Sequence, residues 1–172
     1  WEINSDGFFI IKMIKTGHTK TPYKRELKLP DIKFLDASDK KIRSYFKNIQ
    51  NEFGLTLEDL SDYRFILKSN DLHFVNKYWY DNYPALFSRI GTRFGSFNNN
   101  GEITLHTQAA QVLSNKITEG IYEIKTIDEL KTYLSGGIIK LSSASRFQCA
   151  VKFNNYLLGT AVFTKNGLKS QF

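Results

Sequence analysis

Residues 126–141 read TIDELKTYLSGGIIKL, and this stretch decides the fold of the C-terminal third of the chain. Thr126 followed three residues later by Glu129 is the capping-box pattern that opens a helix. Gly136 and Gly137 end that helix, because glycine adopts the left-handed conformation that closes a last turn. The apolar residues that follow predict a strand over residues 138–141.

Three more strands are predicted around this helix, at residues 121–124, 147–153 and 156–163. Asn154 and Asn155 separate the last two and suit a two-residue turn that needs positive φ. One strand, one helix and then several antiparallel strands predict a small, half-open β-barrel over residues 120–172.

The rest of the chain predicts a mixture of helices and strands. We expect a strand at residues 7–15, an amphipathic helix at 38–53, a hairpin over 64–77 and a helix at 107–117. Gly120 then marks a boundary between a first domain, residues 1–119, and a second, residues 120–172. The predicted class is α+β.

The charge is distributed unevenly along the 172 residues. Residues 12–47 carry 11 basic and 4 acidic side chains, and residues 138–172 carry 5 basic side chains and no acidic one. Two basic ends favour a polyanionic partner such as nucleic acid, although a solvated basic surface has the same composition. No apolar run is long enough for a membrane helix, and a single cysteine is typical of a cytoplasmic protein.

Catalytic and metal-binding patterns are missing from the sequence. The three histidines, His18, His73 and His106, are far apart and form no metal-ligand spacing. Cys149 lies among alternating apolar residues, so we expect a buried thiol and not a nucleophile. Gly136 and Gly137 follow a helix, whereas a phosphate-binding loop precedes one. We therefore expect no enzyme activity, no metal and no cofactor.

A cluster of aromatic residues, Tyr78, Trp79, Tyr80 and Tyr83, has two interpretations. Such side chains can stack on unpaired bases, or they can form part of a core or a protein interface. The sequence leaves both open.

The C-terminal motifs resemble a known RNA-binding fold. Residues 129–137 (ELKTYLSGG), 151–159 (VKFNNYLLG) and 166–172 (NGLKSQF) are similar, in this order, to the PUA domain. More narrowly, they resemble the PUA domain at the C-terminus of the Nol/Nop/Sun family of RNA cytosine-5 methyltransferases. Residues 87–95 (FSRIGTRFG) with 107–110 (TQAA) resemble the domain that precedes the PUA domain in that family.

The catalytic features of that family are not in this sequence. Residues 6–13 (DGFFIIKM) resemble the strand that closes its methyltransferase domain, but active members also have a glycine-rich cofactor motif and paired cysteines. The only cysteine here is Cys149, inside the PUA-like part. Since the chain begins at Trp1 and not at methionine, we expect a fragment or a processed chain with further sequence upstream.

The resemblance implies an RNA surface formed by the helix, the glycine loop after it and the last strand. Carried onto this sequence, that surface comprises Lys131, Gly136, Gly137, Lys140, Lys165 and Lys169. Arg89 and Arg93 are secondary candidates, since arginine can bind phosphate through two hydrogen bonds.

These observations predict a non-catalytic module that binds structured ribosomal or transfer RNA, in ribosome biogenesis or RNA modification. One alternative is the RNA-binding tail of an S-adenosylmethionine-dependent methyltransferase whose catalytic half lies upstream or on another chain. A second is an adaptor that binds a ribosome-assembly protein through its aromatic cluster. We expect no membrane partner.

Overall fold

The fold was analysed in a computed structural model of the chain. It describes residues 11–14, 16–17, 31–82, 84–98, 101–141 and 147–172. Residues 11–14 are not in a strand, and the remainder of the strand predicted at residues 7–15 lies outside the described residues.

The first sheet is an antiparallel meander whose five strands pair in chain order. These strands are β1 (Leu35–Asp36), β2 (Tyr63–Lys68), β3 (Asp71–Asn76), β4 (Thr92–Phe97) and β5 (Ile103–Leu105). Phe65, Phe74 and Phe94 come from three adjacent strands and are buried on one face of the sheet. Their rings pack 5.5–6.4 Å apart, in edge-to-face and stacked contacts that add to the stability of the core.

Two helices complete the first core. Helix α1 (Phe46–Phe53) follows a 3₁₀ turn at Arg43–Tyr45, and α2 (Thr107–Val112) follows β5. A second 3₁₀ turn lies at Pro84–Leu86.

The second sheet has the strand order β6-β8-β9-β10-β7. Its elements are β6 (Ile121–Glu123), α3 (Ile127–Leu134), β7 (Ile138–Ile139), β8 (Gln148–Phe153), β9 (Tyr156–Thr164) and β10 (Gly167–Ser170). β6 runs parallel to β8, and the other neighbours are antiparallel. Tyr133 of α3 is buried with Ile139, Cys149 and Leu168 in a second core on one face of this sheet.

The turn chemistry of the second sheet confirms most of the sequence interpretation. Thr126 Oγ1 accepts a hydrogen bond from Glu129 N–H at 3.2 Å, and the Glu129 carboxylate accepts one from Lys125 N–H at 2.9 Å. Asn154 and Asn155 have φ values of 49° and 67°, as a two-residue turn requires. The predicted helix end is also confirmed, since Gly136 has a φ of 75°.

Other predicted elements differ from the structure. The helix expected from residue 38 becomes α-helical only at Phe46. Asp39 explains this difference: its carboxylate accepts from Lys41 N–H and its carbonyl from Ile42 and Arg43 N–H, which holds the preceding residues in turns. The helix expected to reach residue 117 ends at Val112. The chain then forms turns as far as Lys116.

The predicted α+β class is confirmed, with two five-stranded sheets. Neither sheet closes on itself within the described residues, so the small, half-open barrel expected over residues 120–172 is not confirmed.

Candidate nucleic-acid interface

One edge of the second sheet is strand β7, which follows α3 in the chain. Its neighbour is β10, the last strand. Lys169 lies opposite Ile138, and Leu168 lies opposite Ile139. Leu168 and Ile139 are buried against α3, whereas Lys169 and Ile138 are exposed on the other face. Because successive side chains of a strand point to opposite faces of the sheet, the side chain of Lys169 points into solvent.

Lys140 and Lys165 lie beside the same edge, near Gly167. A Cβ atom on Gly167 would be 2.2 Å from the Ile139 carbonyl oxygen and 3.0 Å from the Leu141 nitrogen. The backbone around Lys140 thus packs directly against the start of β10. Lys165, in the turn from β9 to β10, and Lys169 each lie two residues from Gly167 along the chain. We call Lys140, Lys165 and Lys169 the edge lysines.

The glycine loop, Gly136 and Gly137, lies at the other end of β7. Gly137 N–H donates to the Thr132 carbonyl at 2.8 Å, and the Gly137 carbonyl accepts from Ser170 N–H at 3.1 Å. A Cβ atom on Gly136 would meet nothing within 4 Å, so the backbone there is open to a ligand. From this loop to Lys140 the edge is about 10–13 Å long, at roughly 3.3 Å per residue.

Lys131 is separated from the edge lysines. It is exposed on α3, and Leu130 and Tyr133 of the same helix pack against the face of the sheet opposite Lys169. The structure therefore brings together the edge lysines and the glycine loop, and it places Lys131 on the helix behind them.

The charge of the edge lysines has no neutralising partner in the described part of the chain. None of them belongs to an ion pair among the described residues, and the sequence from residue 138 to 172 has no carboxylate side chain. The nearest acidic residues along the chain, Asp128 and Glu129, lie in the first turn of α3. Exposed, unpaired lysines are suited to phosphate contacts, which release counterions from a nucleic acid.

Arg89 and Arg93 belong to the first sheet and have different surroundings. Arg93 forms an ion pair with Asp71 at 2.9 Å. Arg89 is exposed and lines a cavity of about 420 Å³ together with Lys33, Lys41 and Lys68. The sequence reasoning did not identify the three lysines of this cavity. The basic count of residues 12–47 included Lys33 and Lys41, but it gave no sign that they meet Arg89.

The aromatic cluster divides into exposed and packed members. Tyr78 is 81% and Tyr80 79% exposed. Trp79 packs between Phe34 and Phe87, with ring centroids 5.9 and 5.8 Å apart. Tyr83 lies outside the described residues.

Cys149, His73 and His106 lie at different places in the fold. Cys149 is 1% exposed, as predicted, and burial raises the pKa of its thiol to about 12. The described residues contain no group of three or more His, Cys, Asp and Glu side chains that could hold a metal ion. His106 caps α2, since its Nδ1 accepts from Gln108 N–H at 3.3 Å. His18 lies outside the described residues.

The chain matches no protein-family model and no curated protein. Within the described part of the chain, no helix has the length and apolar character needed to cross a membrane.

Proposed function

We propose that this protein binds structured RNA, ribosomal or transfer RNA, and performs no chemistry on it. The observation that supports this proposal is that three exposed lysines, which form no ion pair among the described residues, lie on or beside the β7–β10 edge that also carries the open glycine loop. The proposed role is binding and positioning in ribosome biogenesis or RNA modification, in the cytoplasm.

The order of elements supports a PUA-like assignment for the second sheet. A strand, a helix and a glycine loop follow one another, three more strands come next, and the loop is hydrogen bonded to the final strand, β10, through Gly137 and Ser170. The family resemblance assigns RNA contacts to the helix, the loop and the last strand. Two of these three elements are adjacent here, so we propose the β7–β10 edge as the RNA surface and Lys131 as a peripheral contact.

Recognition on this surface would depend on backbone charge and shape. Lysine is a point charge with three donors, which suits phosphate oxygens and carries little information about base sequence. Losing three phosphate contacts should lower the slope of log K against log salt by roughly 2 to 3.

The test compares binding to a structured RNA hairpin with binding to a matched DNA duplex across a salt series. The variant is Lys140→Ala/Lys165→Ala/Lys169→Ala, and the charge-matched control is Lys40→Ala/Lys47→Ala/Lys125→Ala, at three exposed positions on other elements. We expect the first variant to lose at least about tenfold in RNA affinity, with a shallower salt slope, and the control to lose much less.

Equal losses in the two triple variants would show that total charge matters and the edge does not. No RNA binding by the wild type at low salt would refute the proposal.

A second candidate function is supported by the exposure of Tyr78 and Tyr80. Exposed tyrosines are enriched at protein interfaces, and Lys77 lies over the Tyr78 ring at 5.3 Å. An adaptor that binds a ribosome-assembly protein or a methyltransferase would associate with it independently of salt, and Tyr78→Ala/Tyr80→Ala would abolish that association without changing RNA affinity.

A further inference from the structure

The basic cavity that contains Arg89 lies on the first sheet, away from the edge lysines. Its volume is about 420 Å³, within the range of small-molecule sites. Residues 31–35, the end of β2 and the segment 87–90 before β4 form its walls.

Four exposed cations from separate parts of the chain line this cavity: Lys33, Lys41, Lys68 and Arg89. None of them belongs to an ion pair of the described residues. Lys68 Nζ lies 3.5 Å from the Ser88 carbonyl, and the one carboxylate in the lining, Asp31, is exposed. The lining has an excess of positive charge that no ion pair with another described residue neutralises.

Most of the remaining lining is apolar and includes an aromatic ring. Leu35 and Ile90 are 4% and 8% exposed, and Ile66 is half-buried. Phe87 is 47% exposed and is held by an edge-to-face contact with Trp79. A fixed, half-exposed ring beside cations offers a planar ligand a surface for stacking.

His73 adds a buried polar group to the lining. It is 7% exposed, and its Nδ1 has no hydrogen-bond partner among the described residues. Burial lowers its pKa; Arg93, Lys68 and Arg89 lower the pKa further, and Asp71 opposes them. Near pH 7 the imidazole is therefore neutral and has one donor and one acceptor nitrogen.

We propose that this cavity binds one nucleoside phosphate, with its phosphate at Lys41, Lys68 and Arg89 and its base against Phe87. The ligand is either a free nucleotide or an unpaired nucleotide of a bound RNA. The second source rests on the proposed RNA-binding function, and the first does not.

The first experiment measures binding of the four nucleoside 5′-monophosphates to the full chain by calorimetry, with inorganic phosphate and adenosine as separate probes. We expect at least one monophosphate to bind about tenfold more tightly than either probe, a gain of about 1.4 kcal/mol. Equal affinity for inorganic phosphate would overturn the proposal, because the cavity would then recognise charge alone. No binding of any monophosphate would overturn it too.

Two variants locate that binding. Lys41→Ala/Lys68→Ala removes charge, and Ser88→Trp fills the cavity from an exposed position without changing charge. Both should lose at least about tenfold in monophosphate affinity, whereas the charge-matched Lys40→Ala/Lys47→Ala should not. Circular dichroism verifies that each variant folds. Unchanged affinity in a folded Ser88→Trp variant would refute this location.

The second experiment identifies the source of the nucleotide. A hairpin RNA with a short single-stranded tail is compared with the same hairpin lacking the tail. If the nucleotide comes from RNA, the wild type prefers the tailed hairpin and Ser88→Trp loses that preference while binding the blunt hairpin normally. If monophosphates bind but the tail confers no preference, the free nucleotide is the ligand. Monophosphate binding without any RNA binding would refute the proposed function and leave this proposal standing.

Discussion

The side chain of Gln148 pairs with the backbone of Leu105 through two hydrogen bonds, as a neighbouring strand would. Its Oε1 accepts from Leu105 N–H at 2.8 Å, and its Nε2 donates to the Leu105 carbonyl at 2.7 Å. Gln148 begins β8 and Leu105 ends β5, so one buried amide joins the two sheets. Thr107 and Thr160, whose hydroxyl oxygens are 3.2 Å apart, extend the same contact.

Gln148→Leu should destabilise the whole protein and not only the second sheet. The substitution leaves the buried N–H and carbonyl of Leu105 without partners, at a cost of about 2–4 kcal/mol in the free energy of unfolding. Urea denaturation, monitored by circular dichroism, measures this change in the free energy of unfolding. The control is Gln108→Leu, at an exposed position on α2. A loss of less than 1 kcal/mol for Gln148→Leu would mean that the two sheets do not depend on this amide.

Glu52→Gln should stabilise the protein at neutral pH. Burial raises the pKa of Glu52, the nearby Glu102 raises it further, and a hydrogen bond from Gln148 N–H opposes them. A raised carboxyl pKa means that the folded state holds the proton more tightly, so stability is lost as pH rises from about 4.5 through the folded pKa. The glutamine removes that loss. Because Glu52 is only half-buried, we expect a gain of at most about 1 kcal/mol at pH 7.

The pH dependence distinguishes this effect from a general charge effect. The advantage of Glu52→Gln should shrink as pH falls towards 4, where the wild-type carboxyl is protonated in both states. The control is Glu58→Gln, which makes the same change in net charge at an exposed position. If the difference in the free energy of unfolding between Glu52→Gln and wild type is constant from pH 4 to 8, the raised pKa of Glu52 is not its cause.

In His73→Leu the free energy of unfolding should fall less than in the wild type as the pH drops from about 7.5 to 5.5. The pKa of His73 is lowered in the folded protein, so the unfolded chain takes up a proton first and stability falls as pH drops through the unfolded value of about 6.5. Leucine cannot take up that proton and also replaces a buried Nδ1 that has no hydrogen-bond partner within the described part of the chain.

Thermal unfolding across this pH range measures how steeply stability changes with pH in the two proteins. NMR titration of the His73 imidazole measures its pKa directly. A His73 pKa above 6.5 in the folded protein would contradict the prediction.

Local signals predicted the second sheet better than the first. The caps of α3 and the turn at Asn154 and Asn155 depend on side chains within three residues of each other, so the sequence displays them. The start of α1 was misplaced because Asp39 offers the backbone an alternative to the helix that spacing alone does not reveal. The predicted hairpin is present and turns at Ser69 and Asn70, where Asp71 pairs with Lys68 and accepts a hydrogen bond from Ser96 Oγ at 2.7 Å.

The sequence likewise predicted one basic region, the edge lysines, and not the other, the basic cavity. The edge lysines lie within one stretch that has no acidic residue, so composition and the family resemblance both pointed to them. The basic cavity joins Lys33 and Lys41 to Arg89, about fifty residues apart. The pairing of β1 to β4 in one sheet brings these residues together, and no local pattern in the sequence encodes that pairing.

Gly167→Ala should disrupt the edge on which the lysines lie. Gly167 has a φ of 125°, which L-residues rarely adopt, and a Cβ there would be 2.2 Å from the Ile139 carbonyl oxygen. We expect a loss of at least about 2 kcal/mol in the free energy of unfolding, together with faster amide exchange in β10. Gly136→Ala is the matched control: its φ of 75° is also positive, but the added methyl meets nothing within 4 Å, so it should cost only about 1 kcal/mol. Equal losses in the two variants would mean that the backbone conformation alone requires glycine at Gly167 and that its contact with β7 contributes nothing.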